Sequence, residues 1–72
     1  MKVFSKKLMM ERLEREGRAH LVDEESAKIM DMLDGQEAVK NDFKALIYDE
    51  LEFFVRVGGQ NYPVNPADCV DK

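Results

Sequence analysis

Across 72 residues there is one cysteine, Cys69, and one histidine, His20, and this scarcity constrains the fold more than any other feature. A chain so short buries only about 60% of the surface its unfolded form exposes. Small domains usually offset so thin a core with disulfides, a structural metal or self-association. A single cysteine admits no intramolecular disulfide, and a zinc site of Cys and His ligands needs about four of them. The chain must therefore fold on backbone hydrogen bonding and apolar burial, or complete its core against another chain. No cofactor is expected.

The side chains are adequate to that task. The sequence is 44% hydrophobic and 36% charged, with both signs represented, which is the balance of a folding chain rather than a disordered one. No repeat, low-complexity tract or linker divides it, so residues 1–72 read as a single small domain. No apolar run has the length of a signal peptide or a bilayer span. Together with the unpaired cysteine, this predicts a cytoplasmic protein with no membrane partner. The net charge of −4 conceals a gradient: +3 over residues 1–18, −5 over 19–37 and −2 over the remainder. Such polarity can steer a partner or orient two copies, although solvated helix faces produce the same pattern.

Local signals predict an α+β fold. Ser5 suits a helix N-cap, Met9, Met10 and Leu13 recur at helical spacing, and Gly17 stops the element, giving a helix at about 6–16. A second, about 24–34, is capped by Asp23, carries Glu24 and Glu25 in its first turn and ends before Gly35. Its apolar side holds Ile29, Met30, Met32 and Leu33. Ala19, Leu21 and Val22, between the helices, are expected to pack beneath the turn. Residues 36–50 are ambiguous: Val39, Phe43, Leu46 and Ile47 keep helical spacing, whereas Leu46-Ile47-Tyr48 also suits a short strand. A short helix or irregular segment is the favoured reading. Phe53, Val55 and Val57 then alternate with Glu52, Phe54 and Arg56, the period of a half-buried strand. Gly58-Gly59 supplies the positive φ angles of a tight turn. A C-terminal antiparallel hairpin follows, at about 51–57 and 61–64, with Pro63 placing the returning strand at a sheet edge. The hairpin either packs alone or gains a third strand from residues 44–48 or a second molecule. Asn65-Pro66 opens a final helical turn, after which Cys69 and Val70 close over the core.

Chemistry-bearing constellations are sparse. Only a thiolate attacks, so a nucleophilic Cys69 would need His20 beside it, and no recognisable motif flanks either residue. Asp31 to Glu37 superficially resembles a calcium loop, but Met32 and Leu33 stand where ligands should alternate. Gly58-Gly59 has neither the glycine spacing nor the following helix of a phosphate cradle. No catalytic, cofactor-binding or metal-ligating residue is expected, and the chain reads as non-enzymatic.

Two binding readings remain. The first is a protein-interaction module, with Met9, Met10, Leu13, Met30, Met32 and Phe54 as candidate interface residues. Flexible thioethers suit adaptable surfaces, though equally a small core, and Phe54 lies on the strand face opposite Val55, where something must cover it. A protein partner or self-association is then expected, through the Met-bearing helices or the hairpin edge. The alternative is a nucleic-acid accessory protein using Lys6, Lys7, Arg12, Arg15 and Arg18 on the basic first helix. Against it, the second helix is acidic and would be repelled by phosphates. The 17–23 connection also exceeds the usual turn of about 3–4 residues in a helix-turn-helix.

The stretches Met1-Lys2-Val3-Phe4-Ser5-Lys6-Lys7, Asp34-Gly35-Gln36-Glu37-Ala38 and Val64-Asn65-Pro66-Ala67-Asp68-Cys69 resemble small uncharacterised proteins encoded in prophages of Gram-positive bacteria. That resemblance implies a cytoplasmic accessory protein of phage origin. It carries over no catalytic or binding residue.

Overall fold

The computed structural model describes residues 1–40 and 53–72. In chain order these form β1 (Lys2–Phe4), α1 (Lys6–Arg15), a 3-10 turn (Ala19–Leu21), α2 (Glu24–Leu33) and β2 (Glu37–Lys40). After residue 52 come β3 (Phe53–Val57), β4 (Gln60–Val64), a second 3-10 turn (Pro66–Asp68) and β5 (Cys69–Asp71). The class is α+β as expected. The β part, however, is a five-stranded sheet in the order β4-β3-β2-β1-β5, with every neighbouring pair antiparallel, rather than a C-terminal hairpin alone.

Both helices start and stop where local chemistry dictates. Ser5 Oγ accepts from the Leu8 amide at 3.3 Å. At the far end, the Gly17 amide donates to Glu14 and the Arg18 amide to Leu13. Gly17, at φ +70°, makes that reversal possible, because a left-handed residue turns the last helical carbonyls back onto the chain. Asp23 Oδ1 accepts from the Ser26 amide at 2.8 Å and opens α2. Glu16 and Asp34 are C-cap residues, so each helix is one residue shorter than expected. Beyond Asp34, the Gly35 amide donates to the Phe4 carbonyl and the Phe4 amide to the Gln36 carbonyl, both at 2.9 Å. The end of α2 is thereby tied to β1, and the chain enters β2 already alongside it.

That stitching explains the main departure from expectation. Residues 37–40, read as helix or irregular, form β2, which pairs with β1 on one side and β3 on the other. Among the described residues, the third strand beside the hairpin is β2; residues 44–48, the other segment considered, lie within 41–52, outside the described residues. Cys69 packs against the core, but it does so within β5, which pairs Val70 with Val3. Asn65 caps the last 3-10 turn through the Ala67 amide, as predicted.

Gly58 and Gly59 have φ of +59° and +79°, the two positive values of a type I′ turn, whose twist matches the flanking strands. Val57 pairs with Gln60 directly across this turn, and Pro63 lies opposite Phe54. Hydrogen-bonded and non-bonded pairs alternate along an antiparallel ladder, with the pair flanking a two-residue turn bonded. Pro63 therefore falls in a non-bonded pair, its missing N–H directed away from β3.

The two helices cover one face of the sheet. Leu33 of α2 and Met9 of α1 meet Phe4, Ala38, Val55 and Val64 there, with Val55 wholly buried. The other face carries Val39, Phe54 and Pro63 in one row across β2, β3 and β4, as strand alternation requires. Among the described residues, no helix is long and apolar enough to cross a membrane.

Candidate functional site

On the covered face, the helical layer leaves an open cleft of about 420 Å³ against β4. Met9 and Leu13 of α1 form one wall, and Ile29 and Met30 of α2 form the other. Leu21 and Val22 close one end, while Tyr62 of the edge strand, paired with the buried Val55, supplies the floor. The volume lies within the roughly 300–1,000 Å³ of typical ligand sites. Leu21 is 62% exposed and Ile29 40%, so the lip of the cleft is apolar and wet. Leu21 was expected to pack beneath the turn; instead the 3-10 turn lifts it into solvent.

Charge in this region is held by a tight network. Asp68, 1% exposed, receives a two-pronged contact from Arg12, Nε to Oδ1 at 2.7 Å and Nη2 to Oδ2 at 3.0 Å. Nη1 of Arg12 reaches Glu16 at 3.2 Å, so all three guanidinium nitrogens are engaged. The hydrogen bond Arg12 donates to Asp68 is the largest influence holding the Arg12 proton, raising its pKa above the ordinary arginine value. Glu16 is pulled below its ordinary range, chiefly by the Arg12 hydrogen bond and also by that of Arg18. Arg18 lines the cleft too. Its Nη1 contacts Glu16 at 3.2 Å, and its other two nitrogens have no side-chain partner among the described residues. At the floor, the Tyr62 hydroxyl donates to Gln60 Oε1 at 2.9 Å.

The candidate interface residues divide. Met9, Leu13 and Met30 line the cleft, with Leu13 and Met30 almost fully buried in its base. Met10 is half-buried on α1, Met32 is exposed on α2, and Phe54 is half-buried on the opposite sheet face; none of these three lines it. Of the basic set, Arg12 is engaged through all three nitrogens and Arg18 through one, as described. Lys6 pairs with Asp31 through its side chain and with Asp34 through its amide, leaving Lys7 and Arg15 exposed on α1.

Sequence reasoning missed Leu21, Ile29, Tyr62 and Asp68 as site residues. A usable signal existed for Leu21. One apolar residue before an N-cap suffices to staple the helix start, and Val22 fills that position, leaving Leu21 without a structural task. Asp68 offered no such signal, because its partner is 56 residues away.

Among the described residues, no hydrogen bond joins Cys69 to His20. His20 is exposed in the first 3-10 turn. The Cys69 thiol points to the Asn65 carbonyl at 3.7 Å, and its pKa is pushed up by burial first and then by the Asp68 charge. Among the described residues, no three His, Cys, Asp or Glu side chains gather as a metal site requires. Comparison with protein-family models, with curated proteins and with solved structures finds no match.

Proposed function

We propose that this chain is a non-enzymatic protein-interaction module whose docking site is the cleft between α1, α2 and β4. The observation that carries this reading is the apolar lip: Leu21 and Ile29 stand 62% and 40% exposed beside a cleft whose base is already apolar. Exposed aliphatic groups around a concavity mark contact surfaces, whereas scattered single ones do not. The Met-bearing helices contribute through Met9 and Met30. The hairpin edge contributes the Tyr62 side chain, not a free strand. An accessory role in the cytoplasm is supported by the resemblance to prophage-encoded proteins.

Site-specific photo-crosslinking in cells that make the protein tests the reading. A photoreactive side chain at Leu21 should yield a discrete adduct that is lost when Ile29→Glu is added. The same group at Lys28, exposed on α2 and absent from the cleft lining, should yield none. The adduct mass separates a second copy of the chain from a different protein. Equal yields from both positions, or no adduct from Leu21, overturn the proposal.

A further inference from the structure

We infer that the occupant of the cleft is an amphipathic helix bearing a carboxylate that reaches Arg18, and not an added β-strand; this rests on the docking reading above. Two independent features point there. The first is the edge of β4. Along Gln60–Val64, only Asn61 and Pro63 fall in the non-bonded pairs whose main-chain groups face outward, and proline has no N–H to give. An extended peptide laid along this strand would find one amide donor, at Asn61, where strand addition depends on a run of main-chain bonds. The contacts on offer are instead side-chain walls contributed by α1 and α2. An apolar helix face, with anchors at i, i+3, i+4 and i+7, fits such a groove.

The second feature is charge. Arg12 and Asp68 satisfy each other inside the cleft, which leaves Arg18 as the lining cation with guanidinium nitrogens to spare. Its side chain is 57% exposed, so an incoming carboxylate meets it at the mouth without displacing buried structure. A forked guanidinium binds a carboxylate through two parallel hydrogen bonds, a geometry that an ammonium partner cannot exploit.

Titration followed by backbone amide shifts tests this with three synthetic probes. One is a peptide of about 15 residues, long enough to form a helix, with Leu at i, i+3, i+4 and i+7 and Glu flanking them. The second replaces each Glu with Lys, and the third alternates Val and Glu to favour an extended chain. The acidic helix should shift the amides of Leu21, Val22 and Ile29. Its dissociation constant should be at least about tenfold below that of the basic helix. Arg18→Glu should invert that order, and Arg18→Ala should abolish the preference; the side chain is exposed, and an unchanged amide spectrum elsewhere confirms folding. Equal or tighter binding of the basic helix, tighter binding of the extended peptide, or no binding by either helix overturns the inference. If the Leu21 adduct persists while the acidic helix fails to bind, docking stands and the helical, acidic occupant falls; if both fail, both readings fall.

Discussion

Asp68 is the residue whose removal should be felt most. Its carboxylate is buried and fully paired with Arg12, and among the described residues no buried side-chain nitrogen or oxygen lacks a partner. Asp68→Ala leaves the largely buried Arg12 cation without its main counter-charge, and breaking a buried pair from one side costs about 3 kcal/mol. Urea denaturation should show that loss. Replacing both partners, as Arg12→Met with Asp68→Leu, should recover most of it, because an apolar pair carries no stranded charge. A second residue-scale expectation concerns acid. Asp23, through the Ser26 amide, and Glu16, through Arg12, hold their carboxyls below the ordinary values of 3.8 and 4.5. Each is thus more acidic folded than unfolded, so the stability it adds is complete above those values and fades as pH drops through the folded pKa. Melting temperature should fall on acidification below about pH 4.5, and less steeply in Asp23→Asn, which keeps an N-cap acceptor without the charge.

At the scale of elements, the turn between β3 and β4 makes the sharpest demand. Both of its glycines have positive φ, and Asn-Gly is a favoured pair for such a turn. Gly58→Asn should leave the thermal midpoint nearly unchanged. Gly59→Val should lower it, since a β-branched residue in the left-handed region costs about 1–2 kcal/mol. The elements that sequence revealed were those built from neighbouring residues: Ser5 and Asp23 as caps, Gly17 and Gly35 as stops, Gly58-Gly59 as a turn, and Phe53–Val57 by alternation. β1, β2 and β5 were not legible. Three or four residues are too few to show a period, and each exists only by pairing with a distant segment, Val3 with Glu37 and Val70. The cleft was half legible for the same reason. Met9, Leu13 and Met30 stood out by helical spacing, whereas Tyr62 joins them only because β4 is folded beneath the helices.

For the molecule as a whole, charge weighs against the nucleic-acid alternative. The basic block over residues 1–18 is partly answered within the fold: Lys6 by Asp31, Arg12 by Asp68 and Glu16, and one nitrogen of Arg18 by Glu16. Affinity for phosphate backbones grows with the number of cations available to displace counterions, and Lys7, Arg15 and the half-engaged Arg18 are few. Gel retardation of duplex DNA at low salt should show no shift, and the charge reversals Lys7→Glu and Arg15→Glu should change nothing. A salt-sensitive shift abolished by those reversals would reinstate the alternative.

The sheet order has a kinetic meaning as well. β1 lies between β2 and β5, so the strand nearest the start of the chain waits for partners more than thirty and more than sixty residues further on. Such distant pairings slow folding, because loop entropy is lost before the contact returns anything. On a ribosome, α1, α2 and the β3–β4 hairpin can take shape locally as they emerge. The seam joining Phe4 to Cys69, and Arg12 to Asp68, can close only after residues 68 and 69 have emerged.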